Sequence, residues 1–491
     1  MNSSLASPSR FPGRGWFLAV LLLAAACRAA GSDASSSAPL VVPEPAGATA
    51  DAPASATAGS HEIPDPYYQG LGNGGYDVQH YDLVLDVDLE SGVIEAVCRI
   101  TARATQDLAR FHLDLYGLDV DQVLVRDEEA SFEREGRELI VRPERFLPAG
   151  EEFTVAVRYG GVPEPAPDPG VPFVPGVGWF RTPSGVYVVS ECSGAASWFP
   201  CNDHPLDKAT YSIEVTVPKP YTVASNGILV EERDAGDRRT WLWRASDPMS
   251  TYLATVCIAE FDVVVEEGPG GIPMRTYLPT DATEEERAVF ARTNEILAFF
   301  GERFGPYPFE SVGAVLSYEN LGGALETQTI PVYGRGADES TVAHELAHQW
   351  FGDCVGPANW QELWLNEGFA SYAEQLWFEH TEGAEAALER GRGMYRMLRA
   401  ANVGPPADPG LEQLFGASVY VRGPLVLQAL RDAVGDETFF AILRAWVDRN
   451  HDGHGTTDAF VALCEESTEA DLSLFFALLY DADMPVVPSL E

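Results

Sequence analysis

At 491 residues, with 46% hydrophobic and 22% charged side chains, the chain has room for roughly two to four domains and a large core. Its net charge of −42 argues against nucleic acid and other phosphate-bearing partners, which a strongly acidic surface repels. A solvated acidic surface that keeps the protein soluble accounts for that charge, with a saline habitat as the sharper alternative.

Taken in chain order, Arg10 and Arg14 precede an apolar run over residues 16–26. The run is too short to span a bilayer and fits a secretory signal over residues 1–27. It ends Leu23-Ala24-Ala25-Ala26-Cys27, a pattern read either as lipoprotein processing with Cys27 acylated, or as cleavage after an Ala-x-Ala sequence with release. The expected location is therefore extracytoplasmic: lipid-anchored to a bacterial membrane through Cys27, or periplasmic or secreted. Residues 28–64 are rich in Ser, Ala and Pro and read as a disordered tether.

Residues 65–268 read as a β domain. From Tyr81, the residues Leu83, Leu85, Val87 and Leu89 alternate with polar ones, as in a half-buried strand. Similar runs recur at 111–115, 153–159, 211–217, 239–243 and 252–265, which predicts a β-sandwich-like fold. Cys192 and Cys201 are spaced to close a short loop as a disulfide. Cys98, Cys257, Cys354 and Cys464 lie in apolar contexts and read as buried thiols. Lys208 and Lys219 are the only lysines among 32 basic residues, a bias that reads as codon composition.

Residues 269–491 read as a mainly helical catalytic domain around a small sheet. Asp281 or Thr283 can cap a helix running through Phe300 and closing near Gly301 to Gly305. Strand-like stretches at 312–318 and 325–333 lead into a helix over 339–351, stopped by Gly352. Helical periodicity continues over 363–380, 386–400, 424–434, 437–450 and 457–467.

The chemistry lies in His344-Glu345-Leu346-Ala347-His348, followed nineteen residues later by Glu367. On a helix, His344 and His348 project from one face and can reach a single metal ion. Glu345, one residue round, can work on a metal-activated water without binding the metal. With Glu367 from the next helix as third ligand, the set keeps an open position, which marks a catalytic zinc site holding one Zn2+ per chain. The bland alternative is a solvent-facing helix with two idle histidines.

Further stretches resemble the M1-type gluzincin aminopeptidases, from about residue 65 to the end. Besides the HExxH pattern with Glu367, they are His348-Gln349-Trp350-Phe351-Gly352-Asp353, Gly322-Gly323-Ala324-Leu325-Glu326-Thr327 and Phe304-Gly305-Pro306-Tyr307-Pro308-Phe309. Trp198-Phe199-Pro200-Cys201-Asn202-Asp203-His204-Pro205 and Val419-Tyr420-Val421-Arg422-Gly423 join them. The resemblance implies a thermolysin-like zinc catalytic domain behind the β domain and hydrolysis of N-terminal residues from peptides. It implies Glu345 as general base, Tyr420 as oxyanion donor, and Glu326 and Glu191 as acids gripping the free amine of the substrate. Asp353, Glu362 and Asn366 would orient the ligands.

The chain departs from the family where Leu325 and Thr327 flank Glu326 in place of Met and Asn, and where Val189 stands in place of Gln before Glu191. It also stops soon after the catalytic region, as a short form without the family's C-terminal helical domain would, which implies an open cleft. The expected partners are peptides with a free N-terminus, with no nucleic acid and with the protein a monomer. Two other readings are a hydrolase of the same fold acting on a non-peptide substrate such as an epoxide, and a non-catalytic binding protein.

Overall fold

The computed structural model describes residues 57–172 and 174–491. The signal segment and Cys27 lie outside the described residues. An eight-stranded sheet has the order Ile228–Ala235, Arg238–Met249, Ala209–Pro218, Tyr76–Val87, Ile94–Ala104, Glu152–Gly161, Asp119–Val125, Glu128–Glu129. Its neighbours are antiparallel except Tyr76–Val87 with Ala209–Pro218. Tyr81, Leu83, Leu85 and Val87 are all at most 1% exposed, so the alternation read from the sequence is the alternation of the pleat. Leu89 lies past the strand end. Two four-stranded sheets complete the β region, and their inner faces share one core.

The segment read as tether is ordered where it is described. Thr57–Ala58 pairs in parallel with Leu108–Asp114, because its backbone groups find an open sheet edge. The sequence expectation of one strand over 252–265 also differs from the structure. A 3-10 turn, Thr251–Leu253, precedes Val256–Ala259, and Phe261–Glu267 follows in a different sheet. That second sheet has the order Phe261–Glu267, Pro273–Pro279, Val312–Leu316, Val332–Tyr333, Ala324–Leu325. The expected boundary at Gly268 therefore falls inside a hairpin whose first strand belongs with the helical region.

Cys192 and Cys201 are both buried free thiols, not the expected disulfide. The chain between them coils through the 3-10 turn Ala195–Ser197. It carries Cys192 beside Asp168 and Tyr68, and Cys201 beside Asp203 and Asp114. Cys98, Cys257, Cys354 and Cys464 are buried thiols as expected.

In the helical region, Thr283 caps Glu284–Ala288 through a capping box with Glu286. The chain then breaks and resumes as Thr293–Phe304, two helices where one was expected. The remaining helices are Glu339–His348, Trp364–Glu382, Ala384–Ala401, Gly423–Asn450 (kinked at Gly435), Thr457–Ser467 and Ser473–Tyr480. Among the described residues no helix is long and apolar enough to cross a membrane. The two regions interlock: Trp360, Leu363 and Leu414 from the helical side are buried in the core of the β region. Asp65 accepts the Trp360 backbone N–H at 2.8 Å, which fixes one side of the cleft against the other.

Candidate active site

Asp338 starts the HExxH helix by accepting the Thr341 N–H at 2.9 Å. Four residues past His348, Gly352 turns the chain at φ +131°, and a Cβ there would stand 3.1 Å from His348 Nδ1. Only glycine leaves that imidazole its place. The helix presents His344 and His348 with ring centroids 4.8 Å apart. Glu367, in the first turn of Trp364–Glu382, points Oε2 to within 3.1 Å of His344 Nε2 and 3.3 Å of His348 Nε2. The three residues expected as ligands thus converge on one point.

The hydrogen bonding tests whether a cation belongs there. His348 Nδ1 lies 3.0 Å from the Phe351 carbonyl, which only an N–H can satisfy. In the neutral tautomer Nε2 is then a lone pair facing a carboxylate oxygen. Two acceptors at that distance need a proton or a metal ion between them. Two imidazoles and one carboxylate around an open position are the donor set of catalytic zinc, so the residues fit the ion. Against burial, His348 and His344 hold the Glu367 carboxyl well below the usual carboxylate range.

The partners that orient the ligands are not those expected. Glu374 lies 3.8 Å from His344 Nδ1 and pairs with Arg390 at 2.5 Å. Burial opposes its charge, but His344 and Arg390 keep it ionised. It stands seven residues beyond Glu367, two helical turns along the same face, and that spacing was the available signal. Glu362 instead accepts the Thr457 N–H at 2.8 Å at the start of the Thr457–Ser467 helix. Asn366 reaches the Tyr252 hydroxyl at 3.5 Å, and Asp353 is wholly buried without a side-chain hydrogen bond to a ligand. None of these three holds a ligand. Tyr252, which sequence reasoning missed, is buried among Glu326, Glu191, Asp353 and Glu367.

Glu345 is 5% exposed. Burial pushes its carboxyl up to about 7, with His344 and His348 pulling the other way, near the value that suits a base at neutral pH. Tyr420 sits in the π-helical segment Ser418–Arg422, its ring parallel to His344 at 6.1 Å. Gly423 and Gly368 let this segment approach the Glu367 helix, a Cβ on Gly423 meeting Gly368 Cα at 3.1 Å. The buried Arg422 guanidinium anchors it on the carbonyls of Val403, Leu478, Ala477 and Asp481. Burial and then Glu367 push the Tyr420 phenol well above its usual range, so it keeps its proton as a donor. Tyr420→Phe is expected to lower kcat by about 10²- to 10³-fold, with KM little changed, as for a lost oxyanion donor. Steady-state kinetics check this, and an unchanged kcat would remove Tyr420 from the role.

Glu326 and Glu191 converge on the same cleft from opposite sides. Gln349 staples the loop of Glu326, donating to the Glu326 carbonyl at 3.1 Å and accepting the Thr329 N–H at 2.8 Å. Asp168 holds the turn after Glu191 by accepting the Ser193 N–H and hydroxyl at 3.1 and 2.7 Å. Carboxylate oxygens of Glu191, Glu326 and Glu367 all lie within 4.8 Å of one another. One enclosed oxygen each on Glu191 and Glu326 has no hydrogen-bond partner among the described residues. Burial, and then the neighbouring acids, push Glu191 well up, and burial likewise raises Glu326.

A family model described as the Peptidase M1 N-terminal domain matches residues 77–253, and one described as the Peptidase family M1 domain matches residues 290–478. The solved M1 zinc metallopeptidase from Deinococcus radiodurans is 30% identical with a TM-score of 0.79, covering 86% of this chain and 98% of that one. A variant of it bound to a Tyr-Ser-Ala substrate matches with the same identity, TM-score and coverage. Aminopeptidase M1 of Arabidopsis thaliana is 30% identical over 60% of this chain, and glutamyl aminopeptidase of Homo sapiens 29% over 60%. The matched stretches span 37% and 34% of those two relatives' own lengths.

Proposed function

From a chain that belongs to peptidase family M1, we propose a zinc-dependent aminopeptidase that hydrolyses the N-terminal residue from peptides. The observation that carries the reading is the pair of buried, unpartnered carboxylate oxygens of Glu191 and Glu326 beside the His344, His348 and Glu367 triad. Unpaired acids are costly to bury. A substrate ammonium between them supplies the missing positive charge and donors, at charge-assisted strength. The same pair favours an amine-bearing substrate over an uncharged epoxide.

Zinc held by His344, His348 and Glu367 would supply Lewis acidity that polarises the scissile carbonyl and acidifies water. The chain does the rest. Glu326 and Glu191 fix the amine at a set distance from the triad, which restricts cleavage to the first peptide bond. Glu345 takes a proton from the attacking water and passes it to the leaving amine. Tyr420 donates a hydrogen bond from its hydroxyl to the carbonyl oxygen as negative charge develops there. Export through residues 1–27, anchoring at Cys27 and a monomeric state belong to this proposal as expectations.

The test is direction of attack. An unblocked peptide is expected to lose residues one at a time from its N-terminus, and its acetylated twin to stay intact. Glu326→Ala is expected to lower kcat/KM on free-amine peptides by about 10²- to 10³-fold, the scale of a lost charge-assisted pair. Mass spectrometry of the digests decides it: internal cuts, or equal cleavage of blocked and free peptides, would sink the proposal.

A further inference from the structure

Two short strands, Gly356–Pro357 and His454–Gly455, pair in parallel. They hold the chain just beyond the HExxH helix against the turn that ends Gly423–Asn450. This pairing brings Cys354, His451 and Asp452 together, none of which the active site uses. One ligand atom from each lies within 4.8 Å of the other two. Asp452 sits at φ +58°, a left-handed conformation that aspartate tolerates better than most residues. One of its oxygens is 3.2 Å from His451 Nδ1. The other is enclosed and has no hydrogen-bond partner among the described residues.

We propose that Cys354, His451 and Asp452 form a second, non-catalytic site for one divalent cation of the zinc class. A thiolate, an imidazole and a carboxylate are the donors such an ion takes. Magnesium and calcium, which need sets of oxygens, are excluded by the sulfur and nitrogen. The ion would satisfy the orphaned Asp452 oxygen, which otherwise bears the full cost of burial without a partner. Ideal bond lengths place sulfur and nitrogen ligands roughly 3.5 Å apart around zinc, and the three atoms lie within 4.8 Å of one another, so binding needs little or no movement. His451 and Asp452 can supply what there is, their side chains being 47% and 36% exposed, while Cys354 is the fixed, buried member.

On binding, the Cys354 S–H bond breaks, a sulfur–metal bond forms and the proton leaves to solvent. The ion must displace the thiol proton. Lys208 is the charge that opposes a cation here. Its ammonium donates to the carbonyls of Asp353 at 2.6 Å and Cys354 at 3.0 Å, and its charge favours the thiolate. Asp353, also in this stretch, adds negative charge toward Lys208.

The test is metal content after dialysis against buffered free zinc at pH 8, with peptidase activity measured in parallel. Wild type is expected to hold about two zinc ions per chain, and Cys354→Ser and His451→Ala about one each, all with the activity of the wild type. Cadmium added to the zinc-loaded protein is expected to give a sulfur-to-metal absorption band that Cys354→Ser lacks. His451 is half-exposed, so its variant keeps the test valid should the buried Cys354 variant fold poorly. One zinc per chain in the wild type, or a second zinc retained by His451→Ala, overturns the assignment.

Discussion

Glu345→Gln is expected to keep the fold and the metal while losing about 10³- to 10⁴-fold in kcat, the upper range for removal of a general base. Glutamine matches glutamate in volume, so the 5% exposed site acquires neither a cavity nor overpacking. The amide cannot accept a proton, and it is not among the three converging ligands. Burial already pushes the glutamate up to about 7, which makes its neutral form cheap to hold and predicts a variant at least as stable as the wild type. Turnover and zinc content measured on one preparation separate the base from a ligand. A variant that loses zinc along with activity would mean that Glu345 holds the ion, and one that turns over normally would mean that the base is elsewhere.

His348→Ala is expected to abolish the bound zinc, about one per chain at the catalytic site, and to take turnover below about 10⁻⁴ of wild type. The imidazole is 1% exposed, and its loss leaves His344 and Glu367 as the remaining donors plus a buried void. Zinc binding also contributes folding free energy. A chelator should therefore lower the melting temperature of the wild type more than that of the variant, which has no catalytic zinc to lose. Metal analysis and a thermal melt with and without chelator check both parts. Full activity in a His348→Ala protein that has lost the catalytic zinc would falsify the metal assignment.

The parts of this site that were legible in the sequence are those encoded by local periodicity. His344 and His348 share a helical face because of their spacing. The Thr457–Ser467 helix runs over the residues its periodicity marks, whereas the HExxH helix ends at His348 and not at the expected Phe351, with Gly352 turning the chain four residues on. Glu374 obeys the same arithmetic relative to Glu367, yet nothing local singles it out until His344 is packed against it. Glu362 shows the converse: it adjoins the ligand helix in sequence, but the fold turns it toward Thr457.

By itself, then, the sequence marked a β-rich and a helical region, the residues His344, His348 and Glu367 that converge in the structure, and the helices that carry them, because the signals involved span one or two turns of chain. Tertiary structure decided what lies across long loops. It set Glu191 against Glu326, two acids from different regions that each turn one unpartnered oxygen into one cleft. It laid Tyr420 parallel to His344 through a π-helical segment that packing of Gly368 on Gly423 permits. It kept Cys192 and Cys201 as separate buried thiols and gathered Cys354, His451 and Asp452 beside Lys208. Such pairings depend on which polar groups can be buried together with their hydrogen bonds and charges satisfied. That condition is met or missed only when distant segments are packed, so no window of sequence contains it.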